Sequence, residues 1–204
     1  MSGSGLIEFV SVLPMTTRPV LVVGLSGSSG AQYGIRLLRV LRELGSREIH
    51  LVISRGAEKT LRLEAGTEPS ELYPLADQVH EPDEMAASIS SGSFLTDGMV
   101  VCPCSMRTLA AIATGNADSL LLRAADVCLK ERRRLVLVTR EPPLNLIHLR
   151  NMVTVTEAGA IVLPPVPAFY HHPKTIEDLI DQTVGKVLDQ LGIEHQTFRR
   201  WKGA

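Results

Sequence analysis

Five short runs built from Val, Leu and Ile constrain this chain more than any other feature. They are "VLVVGL" at 20–25, "EIHLVIS" at 48–54, "GMVVCPC" at 98–104, "RLVLVTR" at 134–140 and "AIVLPP" at 160–165. None alternates cleanly between apolar and polar residues, so each reads as a strand buried on both faces, the pattern of a parallel sheet. Segments of helical period separate them, the clearest at 31–44, where Ile35, Leu38, Leu41 and Leu44 form one apolar stripe. Others span 105–114, 118–131, 144–158 and 175–191. Strands alternating with helices predict an α/β chain with a parallel sheet covered on both sides. The stretch 66–97, carrying Pro69, Pro74 and Pro82, is expected to run irregularly along the sheet's rim. No internal repeat or low-complexity linker appears, so residues 19–204 are expected to form one domain. Residues 1–18 are expected to form an amino-terminal extension. Their apolar segment is interrupted by Glu8 and Ser11 and lacks the basic start of a signal peptide.

Composition narrows the function. A net charge of −1 and 4% aromatic residues argue against a nucleic-acid surface or a base-stacking platform. No apolar run approaches the ~20 residues that span a bilayer. Three cysteines, an odd number without disulfide spacing, suggest a reducing, cytoplasmic setting.

In a parallel sheet, ligands sit beyond the carboxyl ends of the strands, where helix amino-termini converge. The first strand is followed by Ser26-Gly27-Ser28-Ser29-Gly30, whose glycines, hydroxyls and following helix start suit an anion such as phosphate. Its spacing is neither the dinucleotide pattern nor that of a triphosphate loop. Ser54 ends the second strand and reads first as a helix cap. After the third, "CPCSMRTLAAIATG" offers Ser105 as a cap and Thr108 as a second hydroxyl. Cys102 and Cys104, without a Cys/His pair at zinc spacing, read as small buried thiols and not as metal ligands. After the fourth, Arg140 suits a phosphate or a flavin carbonyl, and Glu141 can hold that arginine or accept a proton. The run "LKERRR" reads mostly as a solvated helix end, with Lys130 set apart by its nearness to "RAADV". The prolines of "PPVPAFYHHP" lead to Tyr170, His171 and His172, the histidines reading as a polar rim. Glu177, Asp178 and Asp181 read as a solvated helix face.

Taken together, "GLSGSSGAQYGIRLL", "HLVISRGA", "ASISSGSF", "CPCSMRTLAAIATG", "RAADVCLKERRRLVLVTREPPL", "HLRNM", "GAIVLPPVPAFYHHP" and "RRW" resemble the flavin prenyltransferase family of the UbiX type, once described as aromatic-acid decarboxylases. The resemblance covers residues 20 to 201. It implies a Rossmann-like, three-layer, doubly wound parallel sheet in a homo-oligomer, dodecameric in known members, with sites at subunit junctions. The implied activity is metal-independent transfer of a dimethylallyl group from dimethylallyl phosphate to N5 and C6 of reduced FMN. The product, prenylated FMN, would serve a partner decarboxylase. By position, Gly27, Ser28, Ser29, Ser54, Ser105, Met106, Arg107, Thr108 and Arg140 match flavin-binding residues. Tyr170 and Lys186 match residues that bind the prenyl phosphate, with Lys130 and Arg140 also facing it and Trp201 near the site. Glu64 and Glu141 match acidic residues that manage protons, and Ser29 stands between flavin and phosphate. Two departures are Gly-Ser-Ser for the usual Gly-Ala-Ser, and Arg55 where lysine is common. The related cysteine decarboxylases carry a "PxMNxxMW"-like stretch that "PPLNLIHLRNM" matches only superficially.

Overall fold

A computed structural model describes residues 18–203. Apart from Arg18, the expected extension at 1–18 lies outside the described residues. Six parallel strands form one sheet: β1 (Val20–Leu25), β2 (Glu48–Ile53), β3 (Gln78–His80), β4 (Gly98–Cys104), β5 (Leu135–Thr139) and β6 (Ile161–Val162). Their order is β3-β2-β1-β4-β5-β6. The chain therefore builds outward from β1 in one direction, returns, and builds outward in the other. The reversal opens a crevice between the loops that follow β1 and β4, the place where such sheets bind ligands.

Strand side chains alternate between faces, and both faces are covered. Leu21, Val23 and Leu25 pack on one side with α1 (Ala31–Leu44) and, through Val184, Val187 and Leu188, α6 (Ile176–Leu191). Val22, Met99 and Val101 pack on the other with α3 (Met106–Ala113), α4 (Leu120–Lys130) and α5 (Leu146–Glu157). The bounds of α1 match those expected from its stripe, because Gly30 and Gly45 both take the left-handed conformation and stop it at each end. Asp181 is not a solvated face residue: it pairs with Arg36 at 2.5 and 3.1 Å and ties α6 to α1. Arg133 and Arg134 are likewise tied down, donating to the carbonyls of Gly92, Phe94 and Leu191.

Two elements depart from expectation. β3 emerges where no strand was foreseen, whereas the short helix α2 (Arg55–Thr60) follows the cap reading of Ser54 and runs into a π-helical turn over Leu61–Ala65. The run at 160–165 pairs only over Ile161–Val162, since Pro164 and Pro165 have no N–H to extend the ladder.

Gly34 shows how closely α1 lies on the sheet: an added Cβ would stand 2.4 Å from the Cys102 carbonyl oxygen. Alanine improves intrinsic helix propensity by about 1 kcal/mol, but overpacking against backbone costs about 1–3 kcal/mol. Gly34→Ala is therefore expected to lower stability in urea denaturation; a stabilised variant would contradict this packing.

Candidate active site

The crevice at the reversal is a cleft of about 570 Å³. Its walls come from three helix starts. Ser54 caps α2, its hydroxyl accepting from Ala57 N–H at 3.2 Å. Ser105 caps α3 in the same way, accepting from Thr108 N–H at 3.2 Å while its hydroxyl meets the Thr108 hydroxyl at 3.0 Å. Ser119 stands at the start of α4 with no side-chain cap bond. Amide-rich helix ends facing one space offer donors to an anion. Arg107 adds a guanidinium with no hydrogen-bond or ion-pair partner among the described residues. The volume lies within the range that holds a nucleotide-sized ligand. The floor is backbone: a Cβ on Gly27 would stand 2.8 Å from Gly56, so a side chain there would close the cradle.

The cleft thus collects Gly27, Ser54, Ser105, Arg107 and Thr108 from the expected flavin set. Met106 does not join them; it turns into the core beneath α3. Arg55, Gly56, Asp83, Asn116, Asp118 and Ser119 also line the cleft, with Arg55 paired to Asp83 across it. Of these only Ser119 left a legible trace, a serine immediately before "LLLR".

Beside the cleft, the start of α1 forms a second cluster. Ser28 donates its hydroxyl to the Arg140 carbonyl at 3.0 Å. Glu64, carried on the π-helical turn, accepts from Gly30 N–H at 2.8 Å and Ala31 N–H at 3.4 Å, and from the Ser29 hydroxyl. Burial alone would raise this carboxyl, but those hydrogen bonds, with Arg140 nearby, outweigh it and hold Glu64 below the ordinary glutamate range. The helix start read as an anion site therefore already holds an anion, the ionised Glu64.

The remaining expected residues lie elsewhere in the chain. Tyr170 and Trp201 meet edge-on with ring centroids 6.0 Å apart, in a small hollow shared with Arg199, Arg200 and Lys202. His171 lines the same hollow, yet both its ring nitrogens are buried without a partner, so it is not the polar rim expected. Lys186 lies on α6 beside β6. Glu141 is exposed just beyond Arg140. Lys130 is far from the cleft: α4 starts there and ends 11 residues and about 15 Å later, just before the start of β5. There Lys130 pairs with Glu131 over Gly92.

All three cysteines are free and buried, and burial pushes the Cys104 thiol up to about 12 and Cys128 to about 11. They are packing residues, not nucleophiles. Among the described residues no group of three or more His, Cys, Asp or Glu is placed to hold a metal. No helix among them is long and apolar enough to cross a membrane.

A doubly wound sheet with a hydroxyl-lined cleft at its switch point is the architecture of a flavoprotein, and the Flavoprotein family model matches residues 11–188. Flavin prenyltransferase UbiX of Salmonella typhimurium is 55% identical over 186 residues, covering 90% of this chain and 98% of the relative. A crystal structure of AnUbiX (PadA1) in complex with FMN and dimethylallyl pyrophosphate has a TM-score of 0.89 and 55% identity, covering 92% of this chain and 99% of that one. A dodecameric FMN-dependent UbiX-like decarboxylase from Escherichia coli O157:H7 has a TM-score of 0.88 and 52% identity, covering 90% and 99%. The FMN-dependent cysteine decarboxylase SpaF, at 20% identity and a TM-score of 0.59, shares the fold alone. The chain belongs to the UbiX-type flavin prenyltransferase family.

An ionised Glu64 at the start of α1 contributes about 0.3–1 kcal/mol at an exposed site. Because its carboxyl is held low, that contribution is full above the ordinary glutamate range and is lost as the pH falls through the lower folded value. Stability-against-pH curves for the parent and Glu64→Gln should therefore differ at neutral pH and converge in acid. Parallel curves would show that Glu64 does not cap the helix as a charge.

Proposed function

We propose that this chain transfers a dimethylallyl group from dimethylallyl phosphate to reduced FMN in the cytoplasm, in a homo-oligomer, producing the cofactor of a UbiD-type decarboxylase. The observation that carries the reading is the switch-point cleft, where Ser54, Ser105, Thr108 and Arg107 surround a floor that admits only glycine at Gly27. These groups fit FMN: cation, hydroxyls and helix starts for its phosphate, and flat backbone for its ring. Reduced FMN, when bound, supplies the nucleophilic N5 and C6 that take the five-carbon unit.

The chain's own side chains have three tasks. The first is to stabilise charge as the allylic C–O bond breaks and phosphate leaves, which Lys186, Arg140 and Lys130 can do without a metal. The second is to shield an electron-poor allylic fragment from water, for which Tyr170 and Trp201 present π faces. The third is to manage protons: Glu64, held ionised beside Ser29, keeps that hydroxyl and the start of α1 in place, while Glu141 or the departing phosphate takes the proton lost from C6. Lys130 reaches no cleft of its own chain, so we assign it to the site of a neighbouring copy.

Anaerobic incubation with reduced FMN and dimethylallyl phosphate, followed by mass spectrometry, should show flavin heavier by one dimethylallyl unit only when protein is present. Lys130→Ala should bind FMN normally and make at most about one hundredth of that product. Unmodified flavin from protein with confirmed FMN binding, with either the phosphate or the pyrophosphate donor, would overturn the assignment.

A further inference from the structure

One carboxylate fastens the carboxyl-terminal tail to α6. Asp189 Oδ1 accepts from His195 Nε2 at 3.1 Å and from Arg200 Nη2 at 2.6 Å. Asp189 Oδ2 accepts from Arg200 Nη1 at 3.1 Å and from Lys186 Nζ at 3.3 Å. The tautomer of His195 is set by its other nitrogen: Nδ1 accepts from Thr197 N–H at 3.2 Å and lies 2.9 Å from the Thr197 hydroxyl, leaving the proton on Nε2. One helical turn earlier the tail lies directly on Gly185, where a Cβ would stand 2.3 Å from Thr197 Oγ1 and 2.5 Å from the Phe198 ring. Arg200 also lies over that ring, 5.4 Å from its centre. The next residue is Trp201, edge-on to Tyr170. Burial would raise the Asp189 carboxyl, but hydrogen bonds from Arg200, His195 and Lys186 bring it to about 2, so it is charged at neutral pH.

We infer that Asp189 is a positioning residue for the prenyl-phosphate site, holding Lys186 in place and, through Arg200, setting Trp201 against Tyr170. This rests on the reading that Tyr170, Lys186 and Trp201 meet the prenyl phosphate. Asp189 does not line the flavin cleft. A bidentate arginine–carboxylate pair fixes orientation as well as distance, which is what the residue after Arg200 requires. The notch at Gly185 is a second contact that only a docked tail explains.

The chain has a single tryptophan, Trp201, so its fluorescence reports on the tail without any substrate. In the full-length oligomer, Asp189→Asn should speed the decay of Trp201 anisotropy, and Asp189→Glu should restore most of the slow decay. In steady-state assays Asp189→Asn should raise KM for dimethylallyl phosphate about tenfold, with FMN affinity unchanged within about twofold. Gly185→Ala, which lifts the tail without touching the carboxylate, should produce the same pair of changes and covers the case where Asp189→Asn fails to fold. Unchanged anisotropy in these variants would overturn the clamp. A mobile Trp201 with unchanged KM would overturn its role in positioning. A parent protein that binds FMN but yields no prenylated flavin would overturn the reading of the site, and the inference with it.

Discussion

The hydroxyl of Ser26 holds the site end of this protein together. It is buried, donates to the Pro103 carbonyl at 2.9 Å and accepts from Ser105 N–H at 2.8 Å, while Ser26 N–H also donates to Pro103. One side chain therefore joins the turn after β1 to the start of α3, across the point where strand order reverses. Ser28 continues the stitching to β5 through the Arg140 carbonyl. A parallel sheet leaves three loop ends side by side with no ladder between them, and these short polar bonds replace the missing pairing. The floor at Gly27, the cap at Ser105 and the placing of Arg140 all depend on that connection.

Much of this was legible because both sheet faces are covered. Buried strands must be apolar throughout, so β1, β2, β4 and β5 stand out in the sequence to within a residue or so. The rest was hidden for physical reasons. β3 is three residues long, with Gln78 and His80 in place of an apolar run, and His80 is buried only because it meets His50 Nδ1 at 3.0 Å. α2 is six residues without an apolar stripe, so only its cap at Ser54 showed in the sequence. Glu64 was singled out by resemblance, but its bond to the start of α1 spans 34 residues and no local pattern announces it. Ser54 and Ser105 could be read as caps because a cap is a local bond, and both are.

The expected active-site residues fall into four places within the chain: the flavin cleft with the start of α1, the Tyr170–Trp201 hollow, Lys186 on α6 beside β6, and Lys130 at the far end of α4. Flavin recognition needs groups that one switch point can provide. Holding a leaving phosphate needs several cations at once, and cations on one chain repel unless each is compensated. Here two of them are compensated separately, Lys186 by Asp189 and Lys130 by Glu131. A family of assembled enzymes can keep such groups apart in the subunit and bring them together between copies. Exposed Leu146, Ile147 and Val153 on α5 leave apolar surface for such contacts.

Lys130 is the residue we assign to the site of another subunit. Co-expressing Lys130→Ala with Gly27→Val, the second unable to cradle flavin, creates mixed oligomers in which an intact cleft can meet an intact Lys130. Prenylated-flavin formation by the mixture, measured by mass spectrometry, should exceed the sum of the two variants assayed alone. Output no greater than that sum, from oligomers shown to contain both chains, would mean that Lys130 serves its own cleft or none, and would contradict the division of the site described above.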